Sequence, residues 1–455
     1  MNPILPSVVT TAILLVGTFA SAQLQTPSPE AFGVETVNEL VAHQFSKVEA
    51  RFDERMQSAL PSDQLAAVWG ALIDKAGAFE RILGTHLDEQ AGMRVVRVSC
   101  KFKNENFDLQ FALDSRDRIA GMHVLPGSNA SETNQTWSAP GYAKPGSFHE
   151  IEVTVQTETW KLPGTLTLPN GKGPFPAVVL VQGSGPHDQD ESIGANKPFK
   201  DIAWGLASQN IAVLRYVKRT KQYGAQSVEP GGNLTVNDET TNDAQSAVAL
   251  LASRADVNPR QIYVLGHSLG GMMAPRIAAT DKQVAGIIIA AGTGRPLEVV
   301  IVDQLKYLAS LPGADTAELK QQIDSAEKAK AKIESPALRP DTSVSMLGVQ
   351  IPGSYFLDLR NYRPAEVAAQ LKIPILVLQG GRDYQVTSQD YELWKAALAK
   401  DSRATFKFYP RLTHLFMTGK GSGPGSPADY SVAGHVSGEV IHDIAQWVKA
   451  NDSGK

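Results

Sequence analysis

Gly266-His267-Ser268-Leu269-Gly270 sets a serine between two glycines, after an apolar run ending at Leu265 and before a helical stretch, Met272 to Ala279. A serine at so tight a strand-to-helix turn is held in strained backbone with its hydroxyl exposed. The glycines allow a close approach that larger side chains would block. The chemistry this suits is nucleophilic attack, and a serine hydroxyl needs a base to take its proton. A neutral imidazole serves near pH 7, and a carboxylate fixes its tautomer and stabilises the imidazolium. Behind an elbow of this kind the chain order is serine, acid, histidine. Asp383 follows Gly380-Gly381-Arg382, just past the apolar run ending at Leu378, and His414 follows Leu412-Thr413, past the strand-like run ending near Tyr409. Both fall at C-terminal ends of strands, where open α/β sheets gather their sites. His435 and His442 fall on or near the last helix and read as helix-surface or packing residues, and His267 is expected to point away from the hydroxyl.

Acyl transfer also needs two backbone N–H donors for the developing oxyanion. Leu269, next after the serine, supplies one. The loop Gly183-Ser184-Gly185-Pro186 after Val181 supplies the other, from Ser184 first and Gly183 second. His187 borders the same loop and is expected to touch substrate. Asp188, Asp190 and Glu191 follow, and are read as loop hydrogen-bonding groups and not as a cation site. No Cys/His cluster has metal-ligand spacing. Cys100, in the alternating run Val95 to Cys100, is a buried apolar position, and a single thiol makes no internal disulfide.

The elements that must position these groups alternate from Phe148 onward. An antiparallel pair, Ile151–Gln156 and Lys161–Leu168, opens the region. Buried strands follow at 177–181, 211–216, 262–265, 285–290, 373–378 and 405–409, with helices near 199–208 and 237–253 between them. Such alternation predicts a mostly parallel sheet covered by helices on both faces. Residues 295–370 interrupt it with a long, charged, helical insertion, expected to cap the site. Before Phe148, residues 31–125 predict a small α+β domain: helices over Val34–Ala59 and Ser62–Leu83, then strands Met93–Phe102, Phe107–Leu113 and Ile119–Leu125. Residues 126–147, rich in Gly, Ser, Asn, Thr and Pro, read as a linker with sequons at Asn129 and Asn134.

The 455-residue chain is 42% hydrophobic and 20% charged, with a net charge of -4, so nothing in it favours nucleic acid or an anionic membrane as partner. The densest basic cluster near its middle, Lys218, Arg219 and Lys221, reads as a solvated loop. Residues 1–22 read as a signal peptide: Ile13 to Phe19 are apolar and Ala20-Ser21-Ala22 offers a cleavage site. The expected location is therefore periplasmic or secreted, with no membrane span in the mature chain.

From Phe148 to the C-terminus the chain resembles the α/β-hydrolase family, specifically exported bacterial serine esterases that carry a small N-terminal domain of unknown function. The resemblance rests on Gly183-Ser184-Gly185-Pro186, Gly266 to Gly271, Gly381-Arg382-Asp383 and Thr413-His414-Leu415-Phe416. It implies hydrolysis of small carboxylic esters, often of short acyl chain, with no cofactor. Gln182 and Gln189 depart from the family, standing where many members carry His and Arg. A peptidase or acyltransferase would use the same three residues, because function follows the pocket. A non-catalytic exported binding protein is the remaining alternative.

Overall fold

The computed structural model describes residues 28–90, 93–126, 137–227, 233–314, 316–421 and 423–451. The expected signal segment and both sequons lie outside the described residues. The chain divides into two compact units, the first running to Gly127.

In the first unit four helices, Pro29–Val41, Phe45–Ala50, Glu54–Ala59 and Ser62–Ala76, precede four strands. These are β1 (Phe79–Gln90), β2 (Met93–Phe102), β3 (Asn106–Leu113) and β4 (Ile119–Pro126), and they pair in that order. The single helix expected over Val34–Ala59 is three helices. The chain turns at His43 (φ 57), then at Phe52, which bridges to Ile119. Asp53 starts the next helix by accepting the Met56 N–H at 2.7 Å. The helix expected to reach Leu83 ends at Ala76, where Gly77 takes φ 78 and reverses the chain into β1. Cys100 is buried among Val37, Trp69 and Phe111. Burial, with the Asp108 charge second, pushes its thiol up to about 12, so it is no nucleophile at neutral pH.

The second unit holds β5 (Phe148–Thr157), β6 (Trp160–Pro169), β7 (Phe175–Val181), β8 (Ala212–Tyr216), β9 (Val257–His267) and β10 (Val284–Ala290). The hairpin strands β11 (Ser343–Met346) and β12 (Val349–Pro352) follow, then β13 (Ile375–Gly380) and β14 (Ala404–Tyr409). The eight-stranded sheet runs β14-β13-β10-β9-β7-β8-β6-β5, with β6 antiparallel to both of its neighbours. Its central strands are buried on both faces. Val179 and Val181 pack into one apolar layer while Val178 and Leu180 pack into the other. Each such side chain contributes about 1.5–3 kcal/mol relative to exposure, which makes the sheet a stiff base for the loops at its C-terminal edge.

Two corrections concern boundaries. Residues 137–147, expected to be linker, are docked on the second unit. Trp137 Nε1 donates to the buried Asp201 carboxylate at 2.8 Å, its ring packs edge-on against Trp204, and Lys200 lies over it. The insertion is not wholly helical: the hairpin β11–β12 sits between the helices Leu297–Ala309 and Thr316–Glu334 and the helices Gly353–Leu359 and Pro364–Gln370. Arg276 ties it down through Asp358 at 2.9 Å, and Tyr362 donates to the Met272 carbonyl at 2.8 Å. Among the described residues no helix is long and apolar enough to cross a membrane.

Candidate active site

β9 ends at His267, and the helix Leu269–Thr280 begins two residues later. Ser268 lies between them at φ 54, ψ -115, in backbone that L side chains rarely adopt. Its N–H donates to the Ala290 carbonyl of β10 at 2.9 Å, and its own carbonyl accepts from Met272 N–H at 2.9 Å. The turn therefore stays anchored to the sheet on one side and the helix on the other. The glycines are needed for space: a Cβ on Gly266 would stand 2.0 Å from the Gly270 carbonyl oxygen, and one on Gly270 2.2 Å from that of Val181. Gly266→Ala is expected to cost more than the ~1–3 kcal/mol typical of overpacking, since the obstacle is rigid backbone. Soluble yield and the thermal midpoint test this, and a wild-type midpoint would refute it.

Asp383 and His414 meet at the adjacent strand ends. Asp383 Oδ1 accepts the N–H groups of Gln385 and Val386 at 2.8 and 2.9 Å, and Oδ2 lies 2.7 Å from His414 Nδ1. With Nδ1 donating to the carboxylate, Nε2 is left as the proton acceptor. Gly380 admits this contact, because a Cβ there would lie 2.5 Å from the Leu412 carbonyl oxygen. Asp383 and His414 are both buried, whereas Ser268 is partly open to solvent. His414 packs beside the elbow: its ring centroid is 4.6 Å from that of His267. Ser268 Oγ has no hydrogen-bond partner among the described residues; in substrate-free sites such contacts are often long and tighten in the complex.

The loop after β7 faces the serine. A Cβ on Gly183 would stand 3.1 Å from Ser268 Cβ. Gly183 was expected as a second-choice oxyanion donor, and the structure removes it, because its N–H is taken by Glu191 Oε1 at 2.6 Å. The N–H groups of Ser184 and Leu269 have no partner among the described residues, the latter because a helix's first amides lack intrahelical acceptors. His187 turns back on its own loop, with Nε2 donating to the Ser184 carbonyl at 2.8 Å, and burial pulls its pKa below the usual histidine value.

Residues 205–421 match the "Alpha/beta hydrolase family" and residues 34–122 match "Protein of unknown function (DUF3887)". Esterase EstD of Thermotoga maritima is 40% identical over 412 residues, which is 90% of this chain and 93% of that one. The chain belongs to the α/β-hydrolase family. A further relative, polyketide transferase ATR5 of Stachybotrys chlorohalonatus, is 29% identical over 30% of this chain and 41% of its own. Among solved structures, Est1E from Butyrivibrio proteoclasticus covers 66% of this chain and 96% of its own, at 16% identity and a TM-score of 0.42.

In this α/β-hydrolase the basic cluster is not solvated, contrary to expectation. Lys218 and Arg219 are buried. Lys218 Nζ donates to the Gly183 carbonyl at 2.6 Å and lies 3.4 Å from Glu239, while Arg219 pairs with Asp243 at 2.6 Å. The acidic run at 188–191 does bond within its surroundings. Asp188 accepts N–H groups of its own loop, Asp190 pairs with Arg215 and Lys197, and Glu191 lies against His267 at 2.9 Å. Burial alone would raise Glu191, but the His267 charge beside it outweighs that and holds the carboxyl below its usual range. Burial likewise opposes the His267 charge, yet Glu191 overrides it and raises that imidazole. Beside Ser184 opens a cavity of about 490 Å³ whose mainly apolar wall includes Leu234, Leu297, Ile301, Met346 and Tyr355. Three of these lie on helices of the 295–370 insertion and one on its hairpin.

Proposed function

We propose that the protein is a serine carboxylesterase acting on small esters of short acyl chain. The observation that carries this reading is the 2.7 Å Asp383–His414 pair set beside a serine held at φ 54. His414 Nε2 takes the proton of Ser268 Oγ as that oxygen attacks the ester carbonyl. The oxyanion forms against the N–H groups of Leu269 and Ser184, and the alkoxide leaves with the proton from His414. Water, deprotonated by the same histidine, then releases the acid. The apolar cavity under the cap receives the hydrocarbon part of the substrate, within the size range of small-molecule pockets.

A fluorescent fluorophosphonate is expected to label Ser268 alone, and p-nitrophenyl esters of increasing acyl length are expected to show a short-chain optimum. Label on another residue would end the assignment. Label at Ser268 with no ester turnover would move the activity to amides or to acyl transfer.

A further inference from the structure

Glu191, His267 and Lys218 are buried ionisable groups that take no part in the hydrolytic steps above. Resting on the esterase reading, we infer that these three act as positioning residues, aiming the Ser184 N–H at the oxyanion and tying its loop to the one that carries His414. The geometry is continuous. Glu191 Oε1 accepts the Gly183 N–H at 2.6 Å, and Oε2 lies 2.9 Å from His267 Nδ1. On its far side the same ring donates from Nε2 to the His414 carbonyl at 3.0 Å. Nε2 must carry a proton to meet a carbonyl oxygen. Glu191 Oε2 approaches Nδ1 at ion-pair distance without hydrogen-bond alignment, and its charge raises the imidazole, so this half of the bridge is electrostatic.

Lys218 completes the arrangement from the other direction. A trans peptide is planar, with its carbonyl and N–H pointing opposite ways. Lys218 Nζ holds the Gly183 carbonyl at 2.6 Å, which fixes the plane that also carries the Ser184 N–H and turns that N–H away from Lys218. Both peptide planes flanking Gly183 are thus clamped by buried charges. Burying charges is costly unless they are paired, and Glu191 also keeps its backbone at φ 51, a conformation that costs of order 1–3 kcal/mol. A loop that only had to close could do so with neutral backbone bonds. Charges suit a loop that must hold one donor in place.

The test is a pair of variants in the full chain, Glu191→Gln and His267→Gln, singly and together, assayed on a p-nitrophenyl ester. Rates are expressed per Ser268 titrated with fluorophosphonate, so that loss of folded protein does not count. Each single variant should lose about ten- to a hundredfold in kcat, less than the ~10²–10³ for deleting an oxyanion donor, with KM within about threefold. Affinity for a trifluoromethyl ketone, whose adduct carries the oxyanion, should fall by the same factor as kcat. The double variant should be no worse than the poorer single one, because the residues act as one bridge. Unchanged kcat per titrated serine in either single variant, or purely additive losses, would overturn the inference. His267→Gln keeps a donor for the His414 carbonyl and carries the test if Glu191→Gln does not fold. A wild-type protein that neither labels nor turns over ester would instead sink the esterase reading.

Discussion

Ser268→Ala should leave a folded protein whose turnover of an activated ester falls by about four to six orders of magnitude. The fold should survive, because the elbow is held by backbone bonds from Ser268 to Ala290 and Met272 that an alanine makes equally well. The strain at φ 54 is also no greater for alanine than for serine. What disappears is the hydroxyl proposed to form the acyl-enzyme, leaving the proposed oxyanion donors, the N–H groups of Leu269 and Ser184, to stabilise a slow attack by water. Measuring kcat/KM together with fluorophosphonate labelling decides it. Rates near those of the wild type would take Ser268 out of the reaction.

Asp383→Asn should lower kcat by about 10⁴-fold at nearly constant KM, although it replaces one oxygen by a nitrogen of similar size. Asp383 Oδ1 already accepts two backbone N–H groups, from Gln385 and Val386. An asparagine keeps its carbonyl oxygen there and so turns its NH₂ toward His414. The imidazole must then offer Nδ1 as acceptor and carry its proton on Nε2, which leaves nothing to receive the serine proton. The wrong tautomer, and not a lost contact, causes the defect. A loss smaller than tenfold would show that His414 is oriented by something other than this carboxylate.

The sheet was readable in the sequence, and Ser268, Asp383 and His414 could be proposed from it, because those signals are local. Strands buried on both faces, such as 177–181 and 285–290, are short continuous apolar runs, and the elbow's glycines answer clashes with near neighbours. β1 escaped notice for the opposite reason. It lies at the edge of its sheet and buries little, so Phe79, Ile82 and Leu87 show no alternation. The break in the first helix was hidden because Phe52 serves a partner, Ile119, that lies far along the chain. Distance in sequence also concealed the charges. Lys218 and Arg219 look solvated until Glu239 and Asp243 are brought beneath them. Glu191 looked like a loop carboxylate because nothing near it in sequence names His267 as its partner. The export segment and the acyl preference rest on the sequence and the proposed chemistry.

The docking of Trp137 decides where the catalytic half can be cut free. A fragment beginning at Phe148, where the strand pattern starts, would discard the indole that donates to Asp201 and the Tyr142 ring that packs against Gly205 and Gly438. Among the described residues, Asp201 would keep only the Val436 N–H and the His435 ring as donors for a carboxylate buried in the core. A fragment starting ahead of Trp137 carries its own seal for that surface.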